Sequence, residues 1–208
     1  MKKIEHHSLP EQVYHRLFEQ IIAGKLPEGS RLTEENICNS LGVSRTPARE
    51  ALTMLCRDKL AERIPRCGCS VKKFDCEEAK ELFECRRMLE CLALGEGFAR
   101  INHEELLDLK NKLEKYEDNR KKSLELDEEL HELIIRACPN RHLQEVVRQT
   151  VKRTKPLRSW RSFKSMDIKA VNSERLEIIA ALLSGNREKS IALLAKHIMQ
   201  GIVNIPKD

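Results

Sequence analysis

At 208 residues the chain is long enough for one large domain or two small ones, each with its own core. Charged residues make up 34% and aromatics 4%, a balance that argues against a β-sandwich and suits helices with one solvated face. The net charge of +5 is concentrated early: residues 1–74 hold 13 Lys and Arg against 9 Asp and Glu, the remainder 25 against 24. A basic excess in the first third is where a nucleic-acid surface would need it.

No run approaches the ~18 apolar residues of a membrane span. Met1–His7 has no apolar stretch of the signal-peptide kind, so a cytoplasmic location is expected. Eight cysteines are present, and disulfides are not expected in such a compartment. Cys38 and Cys56 fall at apolar helix positions and read as small core residues. Cys67-Gly-Cys69 with Cys76 is a tight cluster without the paired C-x-x-C spacing of structural zinc. A redox-responsive thiol pair there stays open.

Taken in order, the first predicted helix covers Leu9 to Ala23, with Val13, Leu17, Ile21 and Ile22 as its apolar stripe. Gly24 to Gly29 breaks the chain into a turn. Thr33 reads as the N-cap of a short second helix with Ile37 and Leu41 inside, ending at Gly42. Ser44 reads as the N-cap of a third helix, to about Lys59, with Pro47 in its first turn. Ala48, Ala51, Leu52 and Leu55 form its buried stripe. Arg45, Thr46 and Arg49 are left at its exposed start, the layout of a DNA recognition helix. Ala61–Ile64 and Cys69–Phe74, separated by Pro65 to Gly68, read as a two-stranded hairpin. Three helices and a hairpin describe a winged helix-turn-helix over residues 1–74.

Leu26-Pro-x-Gly-Ser-Arg-Leu-Thr-Glu34, Leu41-Gly-Val-Ser-Arg-Thr-Pro-Ala-Arg-Glu-Ala-Leu52 and Arg66-x-Gly-x-x-Val71 resemble the N-terminal domain of GntR-family transcription factors. The resemblance implies that Arg45, Thr46 and Arg49 are the main DNA contacts, at a helix start capped by Ser44. It also implies Gly68 as the wing tip and Arg66 as a minor-groove or phosphate contact. Glu35 departs from relatives that carry a basic residue there. An arginine at a groove-facing helix start can pair with guanine O6 and N7.

Phe74 to Glu77 reads as a linker, and residues 75–208 as an all-α bundle of six to seven helices. Predicted helices span about Cys76–Arg100, one from near His103, Leu124–Cys138, His142–Ser159, Ile168–Ser184 and Arg187–Val203. Lys152–Lys164, which contains Trp160 and Phe163, is strongly basic and reads as a solvated segment between helices. Asp127 and His131, four apart, share a helix face near the core boundary. That spacing allows a plain Asp–His pair or two ligands of a divalent metal.

Glu84-x-Arg86-x-x-Leu89-Glu90, Asp127-x-x-x-His131, Asn140-x-x-Leu143 and Ser173-Glu-Arg175 through Gly185-Asn186 to His197 resemble the FCD domain found in many GntR regulators. The resemblance implies a small organic acid effector, often beside a metal such as Zn, Ni or Mn held by one Asp and three His. Asp127, His131 and His197 match three of these ligands, and Arg175 stands where the third histidine belongs. Arginine stays protonated and cannot ligate a cation. Either the three remaining residues hold a metal, or Arg175 takes its place and pairs with Asp127 or with an effector carboxylate. Arg86 is the second candidate for that carboxylate, or a plain ion pair with Glu90.

The sequence thus reads as a homodimeric, effector-controlled transcriptional regulator acting on a double-stranded, pseudo-palindromic operator, with no membrane partner. The resemblance implies repression as the commoner mode, and activation suits the same residues. Alternatives are a constitutive or thiol-redox-responsive regulator with a non-functional pocket, and a metalloenzyme using Asp127, His131 and His197. The enzyme lacks a paired acid and base.

Overall fold

The computed structural model describes residues 8–65, 68–73, 76–116, 118–162 and 167–203. The chain divides into two compact units at residue 75/76, with segment 155–160 grouped with the first.

In the first unit, α1 (Leu9–Ile22), α2 (Glu34–Leu41) and α3 (Arg45–Arg57) are joined by sharp turns. The Ser8 backbone N–H donates to Glu11 Oε2 at 2.7 Å, satisfying an amide at the entrance to α1. Thr33 Oγ1 accepts from the Asn36 amide at 3.2 Å and fixes the start of α2. Between α2 and α3 the chain turns at Gly42, whose φ of 66° lies in the region where a Cβ is costly. Ser44 occupies the N-cap of α3 with extended backbone, but its hydroxyl makes no capping hydrogen bond. That departs from the sequence reading and leaves the exposed Ser44 side chain uncommitted at the helix start.

Ala48, Ala51, Leu52 and Leu55 of α3 bury against Val13, Leu17 and Ile21 of α1 and Ile37 of α2. The sheet has three strands in the order β1 (Arg31–Leu32), β3 (Gly68–Val71), β2 (Ala61–Ile64), all antiparallel. The expected hairpin is there, with β3 shifted to Gly68–Val71, and β1 is an addition to it. Leu32, Cys69 and Val71 close the core from the sheet side.

The second unit contains α4 (Cys76–Gly97), a 3₁₀ turn (Phe98–Arg100), α5 (His103–Lys115), α6 (Arg120–Ala137), α7 (Arg141–Ser162) apart from its segment 155–160, α8 (Ile168–Leu183) and α9 (Arg187–Val203). Helix α4 packs on α6 and α9, α5 on α6 and α8, and α8 on α9. Two boundaries differ from expectation. Helix α6 starts four residues earlier, because Asn119 Oδ1 accepts from the Lys122 amide at 3.0 Å. Helix α7 starts behind Asn140, whose Oδ1 accepts from the amides of His142 and Leu143. It runs on to Ser162, three residues past the expected end and further into the basic stretch; Phe163 lies outside the described residues.

At the end of α4, Gly97 is buried against the backbone of α6. A Cβ there would lie 2.6 Å from the carbonyl carbon of Ala137 and from the amide nitrogen of Cys138. Backbone cannot yield as a flexible side chain can. Gly97→Ala is therefore expected to destabilise the chain by about 1–3 kcal/mol through overpacking, read as a lower urea midpoint. An unchanged midpoint would contradict this approach of α4 to α6.

Candidate recognition surface and buried polar centre

Arg45, Thr46 and Arg49 are all exposed on α3, because the opposite side of the helix is consumed by the core. The Arg49 guanidinium grips Glu34 with two bonds, Nε to Oε1 at 2.7 Å and Nη2 to Oε2 at 3.0 Å. This fork also holds the Glu34 carboxyl below its usual range. The Arg49 side chain stays 67% exposed, so the pair orients the arginine without hiding it. Sequence reading assigned no role to Glu34, since a partner fifteen residues away has no local signature.

Gly68 is the first residue of β3 and pairs with Ile64, which places it at the base of the wing tip and not at its end. Its φ of 93° and a Cβ position 2.6 Å from the Leu32 carbonyl oxygen account for glycine there. Arg66 and Cys67 lie outside the described residues.

In the second unit, four helices deliver charge to one interior. Arg86 and Glu90 come from α4, Asp127 and His131 from α6, Arg175 from α8, and all five are at most 2% exposed. His197 arrives from α9, with a side chain 9% exposed. Arg175 Nε donates to Asp127 Oδ1 at 2.9 Å, and its Nη1 donates to Ser123 Oγ and Asn172 Oδ1, each at 2.7 Å. His197 Nε2 reaches the same Asp127 Oδ1 at 3.0 Å, and its Nδ1 lies 3.3 Å from Glu174 Oε2.

His131 does not form the plain hydrogen-bonded pair with Asp127 that the spacing allowed. Its Nε2 is 3.7 Å from Asp127 Oδ2, beyond hydrogen-bonding distance, while its Nδ1 lies 2.5 Å from Glu90 Oε2. A carboxylate accepts, so Nδ1 carries the proton and Nε2 keeps its lone pair toward Asp127. Burial pushes the His131 imidazolium down toward the neutral form, with Glu90 opposing. Glu90 also accepts from Arg86 Nε at 2.5 Å. Burial raises the Glu90 carboxyl, but Arg86 and then His131 outweigh it and bring it to about 2.

Arg86 donates through Nη1 to Thr154 Oγ1 at 3.2 Å. Its Nη2 is buried with no partner among the described residues. A buried donor left unpaired is costly, so this N–H marks a place where an acceptor would be welcome. Glu90, Ser123, Asn172, Thr154 and Glu174 are site residues that sequence reading gave no position in the centre. Glu90 was legible only as the i+4 partner of Arg86.

Asp127, His131 and His197 each offer a ligand atom within 4.8 Å of the others. Both histidines turn Nε2 toward Asp127 and have a carboxylate at Nδ1, the arrangement in which an outer carboxylate orients a metal-bound imidazole. Against this, one lone pair of Asp127 Oδ1 is taken by the Arg175 guanidinium.

Residues 81–200 match the FCD domain, and residues 9–71 match the family described as bacterial regulatory proteins, gntR family. The gluconate operon transcriptional repressor of Bacillus subtilis (strain 168) is 34% identical over 140 residues, covering 64% of this chain and 56% of that protein. The chain spans between 54% and 63% of the length of this and two further curated relatives. Among solved structures, E. coli McbR/YncC shares the fold at a TM-score of 0.81, with 23% identity over 95% of this chain and 96% of that one. The Zn2+-bound FCD domain of TM0439 is 27% identical over 63% of this chain and 93% of its own, at a TM-score of 0.56. The Asp127–His131–His197 triad resembles the metal site of the FCD domain.

The centre's energetics can be tested apart from any ligand. Asp127→Ala strands the Arg175 charge in the interior and is expected to cost about 3–5 kcal/mol. Adding Arg175→Met to Asp127→Ala removes the stranded charge, so the double variant should be more stable than Asp127→Ala in urea denaturation. Additive losses would mean that the two side chains are not coupled.

Proposed function

The chain belongs to the GntR family of bacterial regulators that carry an FCD domain, and from that premise we propose that it is a homodimeric, effector-controlled transcriptional regulator. Its family is one of transcription regulators and not of enzymes. DNA binding is carried by one observation above others: α3 buries one side in the winged-helix core and presents Arg45, Thr46 and Arg49 on the other. Arginine forks at such a helix start read guanine in the major groove, while the exposed Ser44 hydroxyl is placed for a phosphate. Arg66 and Gly68 belong to the wing in this reading. Two-fold symmetry of the protein asks for a pseudo-palindromic operator. Cys85, Met88 and Leu92 lie on one exposed face of α4 and supply apolar surface for a second copy. No described helix is long and apolar enough to cross a membrane, which is compatible with the cytoplasmic location a DNA-binding protein needs.

In the bundle the proposed effector is a small carboxylate. The unpartnered Nη2 of Arg86 supplies a donor for it, and Asp127, His131, Arg175 and His197 form the adjoining polar wall. The relative named for a gluconate operon, whose namesake is an organic acid, points to the same chemical class. The ligand controls DNA binding only if it prefers one conformation of the protein over another. Repression is the mode named in that relative.

On the metal, we read Arg175 as the resident cation. Its 2.9 Å bond to Asp127 places a fixed positive charge on the carboxylate that a divalent ion would need. The second reading, an open site of Asp127, His131 and His197 for Zn, Ni or Mn, is favoured by the two carboxylate-backed imidazoles. A bound ion would there polarise the effector's oxygen.

Two experiments test these readings. Arg45→Ala and Arg49→Ala should each weaken binding to a duplex selected by the protein from a randomised pool by about 1–3 kcal/mol. Their thermal unfolding should match wild type, and wild-type affinity in both variants would refute the recognition-helix assignment. Elemental analysis of the purified chain should find no stoichiometric metal. A stoichiometric ion that is lost in Asp127→Ala would establish the open three-ligand site instead.

A further inference from the structure

We propose that Cys56 and Cys69 form a redox site: a thiol pair at the joint between α3 and β3 that closes to a disulfide under hydroperoxide and weakens DNA binding when closed. Cys56 lies in the last turn of α3 and Cys69 in β3, and their sulfurs are 3.3 Å apart in a thiol–thiol hydrogen bond. Cys69 is buried and Cys56 half-buried in the winged-helix core. The pair sits where the wing is already tied to the recognition helix. Arg63, which faces Cys69 across the β2–β3 ladder, donates to Thr53 Oγ1 at 3.0 Å, one turn before Cys56. The sequence leaves a redox-responsive pair open at Cys67 and Cys69; Cys67 lies outside the described residues, and the fold brings Cys56 to Cys69.

A disulfide bond is about 2.05 Å long, so closure needs the sulfurs to approach by roughly 1 Å. The two sides of the joint do not yield equally. Helix α3 is anchored by Ala48, Ala51 and Leu55, all fully buried, whereas β3 is a four-residue strand. Closure therefore displaces the wing strand relative to the recognition helix, the two elements the proposed interface must hold in register. Burial pushes the Cys56 thiol up to about 12, with the Cys69 hydrogen bond adding to it, so Cys56 rests protonated and reacts with peroxide only through its small thiolate fraction.

The chemistry balances with one hydroperoxide. The half-buried Cys56, once it gives up its proton, attacks the peroxide and breaks the O–O bond, leaving a sulfenic acid and releasing the alcohol, or water from hydrogen peroxide. The Cys69 sulfur then attacks the Cys56 sulfur, and the hydroxyl leaves as water with the Cys69 proton. Two thiols are oxidised by two electrons, and the peroxide is reduced by the same two.

The effect on DNA rests on the function proposed above, so the test has two separate arms. The reduced full-length chain is treated with hydrogen peroxide, alkylated in denaturant, digested and mapped by mass spectrometry. A cross-linked peptide pair joining Cys56 to Cys69, two hydrogens lighter and reversed by dithiothreitol, is expected. Recovery of both as free alkylated thiols, or a Cys67–Cys69 link, would overturn the proposal, and core packing alone would then explain the pair. In the second arm, oxidised wild type should bind the pool-selected duplex several-fold more weakly than reduced wild type, while Cys56→Ala should be insensitive to peroxide. Equal affinity of the cross-linked and reduced proteins would overturn the DNA effect. Reduced protein that binds no duplex would refute the regulator reading as well, and the cross-link map, scored without DNA, tells the two failures apart.

Discussion

Asp127 is the acceptor around which the interior of the second unit is arranged. One of its oxygens receives both the Arg175 guanidinium and the His197 ring, at 2.9 and 3.0 Å, in a place with no water contact. A carboxylate so enclosed is tolerable only because its charge is met and its lone pairs are filled. The same demand propagates outward. Arg175 must also place its Nη1 donors, and Ser123 and Asn172 take them. Glu90 is likewise shared between Arg86 and His131. Helices α4, α6, α8 and α9 are thus held together by directional polar contacts as well as by side-chain packing, which fixes their rotation about their axes more narrowly than apolar contact would.

The first unit solves a different problem with the same residue types. Arg45 and Arg49 stay at the surface, where ion pairs contribute little to stability and where, in the proposed reading, they meet DNA. Glu34 gives Arg49 a bidentate partner that costs little to exchange, since both side chains are in contact with solvent. The arginine fork is therefore held near one orientation in the free protein and can be released to a stronger acceptor such as a base edge. Stability is left to the apolar stripe of α3, so Arg45, Thr46 and Arg49 can vary without disturbing the core.

Where the controlling physics was local, the sequence was readable. Gly42, the Thr33 cap, the stripe of α3 and the break at Gly24–Gly29 each depend on a few neighbouring residues, and their helices appeared within a few residues of expectation. Strand β1 was not readable, because two residues cannot display an alternation and its pairing with β3 is made across some forty positions of chain. The continuation of α7 past Ser159 to Ser162 was missed for a related reason: charge density says that a segment is solvated, not that it is irregular. In the bundle, the i,i+4 spacing of Asp127 and His131 was legible, and so was the oddity of Arg175. Which carboxylate His131 would choose was not, because Glu90 lies forty-one residues upstream on another helix.

The Arg175–Asp127 pair also bears on how such a centre can respond to a ligand. A metal-held site can vary its charge by gaining or losing the ion, so its affinity for an anion follows metal supply. A guanidinium does not leave and does not deprotonate, so its charge is constant across conditions. What can change is how that charge is shared. Asp127 already accepts from Arg175 and His197, and an arriving carboxylate would compete with it for those donors while finding the idle Nη2 of Arg86. Any such exchange would loosen one helix pair as it tightens another, because the bonds from Arg175 and His197 to Asp127, and from His131 to Glu90, each join two helices. In the proposed reading, a centre wired in this way would convert a change of hydrogen-bond partner into a change of helix placement, the physical step an effector-controlled bundle requires.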